Sequence, residues 1–180
     1  MNRVVITGAG TINALGHTVP ETLHAMREGD LGIGPLQMRD LDRLSVKIGA
    51  QIKNFDLESH FDRQKLALYD RVTQLTLLAS REAMVQSGLE ITEEQSETTG
   101  VVLGTAAGGM NTWDDNFRSV YEEGKNRVHP FVVPKLMTNA AASHVSMVYN
   151  IKGPSLTVST ACASSNHAIG LAFQMVRSGM

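Results

Sequence analysis

The chain has 180 residues and a mass of 19.5 kDa, the length of one domain or little more. Sixteen Lys and Arg against eighteen Asp and Glu leave a net charge of −2, too little positive charge for a dedicated nucleic-acid binder. A single cysteine excludes an internal disulfide and a cysteine cluster for metal, and 42% hydrophobic with 19% charged residues suits a packed core rather than disorder.

The opening MNRVVITGAG is broken too early by glycine and polar residues to be a signal peptide. Val4–Ile6 predicts a short strand ending in Gly8-Ala9-Gly10. Those glycines start like a dinucleotide fingerprint, but the third glycine position of G-x-G-x-x-G is Asn13, so a tight turn is expected instead. Thr18 and Glu21 have capping-box spacing, and Pro20 suits a first helical turn. That helix reaches about Glu28, where Gly29 can end it, and Gly32, Gly34 and Pro35 mark a loop.

Leu66, Tyr69, Val72, Leu75, Leu78 and Ala79 recur at helical spacing and predict one long helix from Arg63 to Ser87, with Gly88 as its cap. A polar, acidic linker is expected over Thr92–Thr99. Val101–Leu103 reads as a buried strand closed by Gly104 and Gly108-Gly109. A short helix is expected over Asp114–Glu123, another over Ala140–Tyr149, a strand over Leu156–Thr160 and a helix over Ser164–Arg177. Alternating strands and helices predict an α/β layered domain with a sheet covered by helices.

Charge is distributed unevenly. From Leu136 to Met180 only Lys152 and Arg177 are charged, and Gly153–Val176 has no charge across 24 residues. Ser, Thr, Asn, His and Gln interrupt this stretch throughout, so it is not a membrane span. The expectation is a segment buried on nearly all sides, against a partner surface or further sequence.

Within that stretch, an apolar strand gives way to a helix across small residues, and Cys162 falls at the junction. Such a turn lifts a side chain off the sheet, as the nucleophile turn of hydrolases does, although G-x-S-x-G itself is absent. A thiol at a helix N-terminus meets unpaired N–H groups and the positive end of the helix dipole. Both favour the nucleophilic thiolate, and the same N–H groups can receive an oxyanion. The alternative is a cysteine packed as a small hydrophobe.

The other signals are weaker. No histidine pair has H-x-x-x-H spacing, so no metal site is expected. His167, five residues past Cys162, is either its ion-pair partner or an ordinary packed or solvated histidine. Trp113 stands without aromatic neighbours in sequence, so no base-stacking platform is indicated, and Asp114-Asp115 and Glu93-Glu94 read as solvated faces.

GPSLTVSTACASSNHAIG, which contains Cys162, resembles the active-site segment of the β-ketoacyl-[acyl-carrier-protein] synthases, the condensing enzymes of fatty-acid and polyketide synthesis. VVITGAGTINALG, YDRVTQLTLLASREAMVQSGL, TGVVLGTAAGG and VHPFVVPKLMTNAAASHVSMVYNIKGPS resemble further family segments in the family's order, closest to the elongating type II enzymes of bacteria. The resemblance implies a thiolase-like layered α/β fold, of which residues 1–180 are the N-terminal half. It also implies a cytoplasmic homodimer that works with acyl carrier protein and needs no cofactor, no metal, no nucleic acid and no membrane. Cys162 falls on the acyl-carrying nucleophile. In the implied reaction it takes an acyl chain from a carrier thioester. Malonyl carrier protein then loses CO2, and the carbanion attacks the acyl-cysteine to give a 3-oxoacyl carrier protein.

The family's two catalytic histidines and its lysine lie downstream of the cysteine, and none of His17, His24, His60, His129, His144 or His167 matches them. The 180 residues alone are therefore expected not to complete the condensation. Ala107 and Val132 fall on pocket-lining positions where relatives carry bulkier side chains, and Ala161 beside the thiol joins them as substrate-binding. The exchanges open the acyl channel, or neighbours repack into the space. Alternative functions are thiolase-type transfer on coenzyme A thioesters and a non-catalytic pocket or dimer partner, although such partners typically lack the nucleophile.

Overall fold

The computed structural model describes all 180 residues, Met1–Met180. In chain order the elements are helix α1 (Val19–Glu28), strands β1 (Ile33–Pro35) and β2 (Ile48–Ala50), and helices α2 (Arg63–Leu68), α3 (Arg71–Ser87) and α4 (Glu93–Thr98). Strand β3 (Val101–Gly104), helices α5 (Met110–Phe117), α6 (Val132–Leu136) and α7 (Ala140–Val148), strand β4 (Ser155–Val158) and helix α8 (Ser164–Ser178) follow. The chain divides into two units. One holds Met1–Ile6, Phe61–Leu77 and Leu89–Met180, and the other holds Thr7–His60 and Leu78–Gly88, so α3 contributes to both.

The larger unit is built on a parallel pair, β3 beside β4, in the register Val101↔Ser155 to Gly104↔Val158. Parallel neighbours need a crossover connection, and α5, α6 and α7 supply it. Helices α7 and α8 pack on this pair. Ala140, Ala141, Ala142 and Val145 of α7 and Ala168 of α8 are buried there, and these small side chains let the helices approach closely. The strands and helices expected over this region form within a few residues of their predicted bounds.

Several expectations for this unit are corrected. Thr92–Thr99 is helical rather than a linker. Thr92 Oγ1 accepts from the Gln95 N–H at 3.2 Å, and Gln95 Oε1 accepts from the Thr92 N–H at 3.1 Å, a complete capping box. The expected long helix is two. Tyr69 is extended (φ −104°, ψ 133°), and Asp70 starts α3 by accepting the Val72 N–H on its side chain at 3.1 Å. The helix expected over Asp114–Glu123 begins earlier, at Met110, and continues as a π-helical turn over Arg118–Glu122. The expected strand at Val4–Ile6 does not form. A strand needs a ladder partner, and here Ile6 is 89% exposed while Asn2 is tied instead to the end of α8, its N–H donating to the Arg177 carbonyl at 3.0 Å. The burial expected of the uncharged C-terminal stretch, against a partner surface or further sequence, is not reached within the 180 residues alone. Leu156 of β4 and Ile169, Phe173 and Val176 of α8 are exposed, while Ser164 and Ala168 of α8 are buried as the helix packs on the strands.

In the smaller unit Thr18 caps α1 as expected, with Oγ1 accepting from the Glu21 N–H at 3.3 Å. The reciprocal half of the box closes one residue early, on the His17 N–H at 2.7 Å. Glu82 of α3 accepts from the Thr11 N–H at 2.8 Å and the Val19 N–H at 2.7 Å, which ties the loop and the start of α1 to α3. Gly8 and Gly10 lie so close to the carbonyls of Ala83 and Ala79 that a Cβ at either would overlap them, so this glycine pair serves packing against α3. The loop expected around Gly34 is one strand of an antiparallel hairpin, Ile33↔Ala50 to Pro35↔Ile48. Gly88 caps α3 with φ +62°, as its position predicted.

Candidate active site

Strands β3 and β4 run parallel, so the loops that leave their C-terminal ends emerge side by side. After β3 comes the glycine turn 105–109, and the Thr105 N–H donates to the Val158 carbonyl at 3.1 Å. After β4 comes the turn 159–163, which carries Cys162. In open α/β sheets this end of the strands is where ligands bind.

The cysteine turn is tight. Ala161 has φ +49°, a left-handed conformation that costs a non-glycine residue about 1–2 kcal/mol. The N–H groups of Ala163 and Ser164 bond back to the carbonyls of Thr160 (3.0 Å) and Ala161 (3.2 Å). Buried Ser164 locks the turn with its hydroxyl, which donates to the Ala161 carbonyl at 2.6 Å and accepts from the Thr160 N–H at 2.9 Å. Cys162 projects from this frame and is exposed, so it does not pack as a small hydrophobe. The N-cap residue of α8, Ala163, has no side-chain oxygen to occupy the N–H groups of the first turn. Those groups sit at the positive end of a 15-residue helix and can stabilise negative charge that develops beside the thiol.

Gly104 explains how α8 comes so close to β3. A Cβ at Gly104 would overlap the backbone of Ser164 and Ser165, so only glycine lets the strand end meet the helix start. The sequence pattern did not single out Ser164 or Gly104 as parts of the site. The partners of Gly104 are distant in sequence, and those of Ser164 are hidden in the turn's geometry.

The other expected site residues are placed as follows. Ala161 immediately precedes the thiol. Ala107 is exposed on the glycine turn at the same sheet end, its carbonyl accepting from Thr105 Oγ1 at 2.8 Å. Val132 opens α6 and lines a small apolar cavity of about 190 Å3 with Trp113, Phe117, Val120 and Leu136. Ala107 is not part of that lining. The glycine turn and α6 are nonetheless joined, because the Gly109 N–H donates to the Leu136 carbonyl at 3.1 Å. His167 is exposed on α8, with its N–H bonded to the Ala163 carbonyl at 3.0 Å. Trp113 is not isolated in space, because its ring stacks on Phe117 and that ring on Tyr121.

Residues 1–180 match the family described as β-ketoacyl synthase, N-terminal domain. The chain belongs to the β-ketoacyl synthase family. Among its curated relatives is 3-oxoacyl-[acyl-carrier-protein] synthase 2 of Staphylococcus aureus (strain COL), 36% identical over 177 residues, covering 98% of this chain and 43% of the relative. The chain thus spans less than half the length of that relative. The solved ishigamide ketosynthase/chain length factor superposes with a TM-score of 0.86 at 23% identity, covering 97% of this chain and 44% of that one. A structure of a type II polyketide-synthase acyl carrier protein in complex with its ketosynthase bound to the hexaketide superposes with a TM-score of 0.83 at 21% identity, covering 99% of this chain and 48% of that one. These likenesses give the β-ketoacyl synthase chain the thiolase-like layered fold of its family, as an N-terminal half. No helix is long and apolar enough to cross a membrane.

Proposed function

We propose that the protein to which these residues belong is an acyltransferase. It condenses an acyl thioester with malonyl-acyl carrier protein by a decarboxylative Claisen reaction, and the product is a 3-oxoacyl-acyl carrier protein. The observation that supports this most directly is the exposed Cys162 after a left-handed Ala161, at the start of α8, in a chain of this family.

In this reading the Cys162 sulfur attacks the thioester carbonyl of an acyl carrier protein. The first-turn N–H groups of α8 stabilise the oxyanion, and the carrier thiol leaves with a proton. Malonyl carrier protein then breaks its C–CO2 bond, and the electron pair left on carbon attacks the acyl-cysteine carbonyl. The new C–C bond forms as the Cys162 sulfur leaves. Residues beyond the 180 supply the histidines and lysine that the decarboxylation step uses. Ala107, Val132 and Ala161 line the acyl channel. The Staphylococcus aureus relative is a synthase named for acyl carrier protein, which favours carrier over coenzyme A thioesters. The presence of Cys162 disfavours a purely non-catalytic partner. The working protein is a homodimer in the cytoplasm.

Intact-mass measurement of the full-length protein mixed with acyl carrier protein thioester tests this. An acyl adduct on Cys162 that is absent from Cys162→Ala is expected. An adduct only with coenzyme A thioesters would move the assignment to thiolase-type chemistry.

A further inference from the structure

Asp70 is 4% exposed, and its carboxyl group takes three hydrogen bonds from two helices. One oxygen accepts from the Val72 N–H at 3.1 Å, in the first turn of α3. The other accepts from the Thr112 N–H at 2.8 Å and from Thr112 Oγ1 at 2.6 Å, in the first turn of α5. Thr112 is itself buried. The Asp70 carbonyl also accepts the Gln74 N–H at 3.1 Å, so the residue opens α3 with its backbone while it caps α5 with its side chain.

The start of α5 is the end of the glycine turn. The Gly109 carbonyl accepts the Trp113 N–H at 3.1 Å, and a Cβ at Gly109 would stand 2.8 Å from Asp70 Oδ2. At its other end the turn is fixed to β4 through Thr105, and Ala107 lies between the two anchors. Gly109 also bonds to Leu136, at the end of the helix that Val132 begins. That helix has a tie of its own, Lys135 Nζ donating to the Ala67 carbonyl at 3.0 Å, three residues before Asp70. The two expected channel-lining positions are thus held on separate elements that are joined at Gly109, where the turn ends and the helix capped by Asp70 begins.

We infer that Asp70 is a positioning residue for acyl-chain selection, which sets the place of Ala107 relative to Val132 by anchoring the glycine turn to α3. This rests on the function proposed above. An asparagine at this position could satisfy only one of the two helices, because its amide nitrogen cannot accept the N–H it would face. Thr112→Val deletes one bond of the three while keeping the side chain's shape, and Thr112→Ser keeps the hydroxyl.

The test is kinetics of Cys162 acylation in the full-length enzyme, with carrier thioesters of short, medium and long straight acyl chains. In Asp70→Asn and Thr112→Val, the ratio of kcat/KM for long over short chains is expected to change about tenfold, mostly through KM, with kcat for the best chain held. Thr112→Ser should keep the wild-type ratio. An unchanged ratio in both altered enzymes, or a loss equal at every chain length that follows a fall in Tm, overturns the inference and leaves only a structural cap. If Asp70→Asn does not fold, the Thr112→Val and Thr112→Ser pair decides by the same ratio. A wild-type enzyme that no carrier thioester acylates is a different failure, of the functional reading, and this inference falls with it.

Discussion

The Ser164 hydroxyl donates to the carbonyl of Ala161 across 2.6 Å, so the residue after the cysteine turn holds the residue before the thiol in its left-handed conformation. The same oxygen takes the Thr160 N–H, and the hydroxyl is buried with both partners satisfied. Ser164→Ala is expected to destabilise the protein by about 1 kcal/mol, because the half-buried Thr160 N–H loses its acceptor and the Ala161 carbonyl keeps only the Ser164 backbone N–H. Acylation of Cys162 should slow more than stability alone explains, because the turn that aims the thiol loses its lock. Denaturant unfolding and intact-mass acylation rates, taken together, check this. Equal acylation rates in both proteins would show that the turn holds its shape without Ser164.

Ala161 itself gives a signed prediction. Glycine adopts φ +49° without the side-chain clash, whereas valine there is strained by its branched Cβ. Ala161→Gly should therefore be neutral or stabilising by up to about 1 kcal/mol, and Ala161→Val destabilising by about 2 kcal/mol. Both should slow acylation, the first through a looser turn and the second through a displaced one. Thermal unfolding of the three proteins reads the sign directly. A valine variant as stable as wild type would mean that the turn relaxes to another conformation.

How much of this was readable in the sequence depends on where each residue's partner lies. The cysteine turn was legible because few structures accommodate an apolar run, then Ser-Thr-Ala-Cys-Ala, then a helical period. The capping box of α4 was present in letters as Thr92-Glu-Glu-Gln95, but its acidic composition reads equally well as a solvated linker. The break between α2 and α3 was hidden, because apolar spacing continues through it and one partner of Asp70 is 42 residues away. Val4–Ile6 has strand-forming residues and still forms no strand, since β-structure depends on a neighbour that sequence pattern does not specify. The burial expected of the C-terminal stretch, against a partner surface or further sequence, is likewise not specified within the 180 residues. Its composition describes a surface to be covered, and in this chain the outer face of α8 is open.

His144 on α7 supplies a pH dependence. Its ring packs against that of Tyr69, with centroids 4.5 Å apart, and burial pushes its pKa below the ordinary 6.5. The unfolded chain then binds a proton more readily than the folded one in the interval between the two values. The contribution of a neutral His144 is fully present above pH 6.5 and is lost as pH falls through the folded value. The denaturant midpoint should drop as pH is lowered through this interval, and His144→Gln should flatten that part of the curve. An unaltered slope in the variant would assign the dependence to another group.

The last prediction concerns the width of the acyl channel. Val132 leaves an apolar cavity of about 190 Å3 on α6, and Ala107 leaves the glycine turn without a bulky side chain. If both positions line the channel, Val132→Phe and Ala107→Ile should shorten the chains accepted by the full-length enzyme. Each methylene denied burial costs about 0.8 kcal/mol, so excluding two lowers kcat/KM for long chains by more than tenfold. Short chains, which do not reach the filled space, should react at the wild-type rate. A survey of acyl chain lengths across the three enzymes separates the outcomes. A wild-type enzyme that accepts short chains only would show that neighbouring side chains already fill the space, and the enlarged variants would then change nothing.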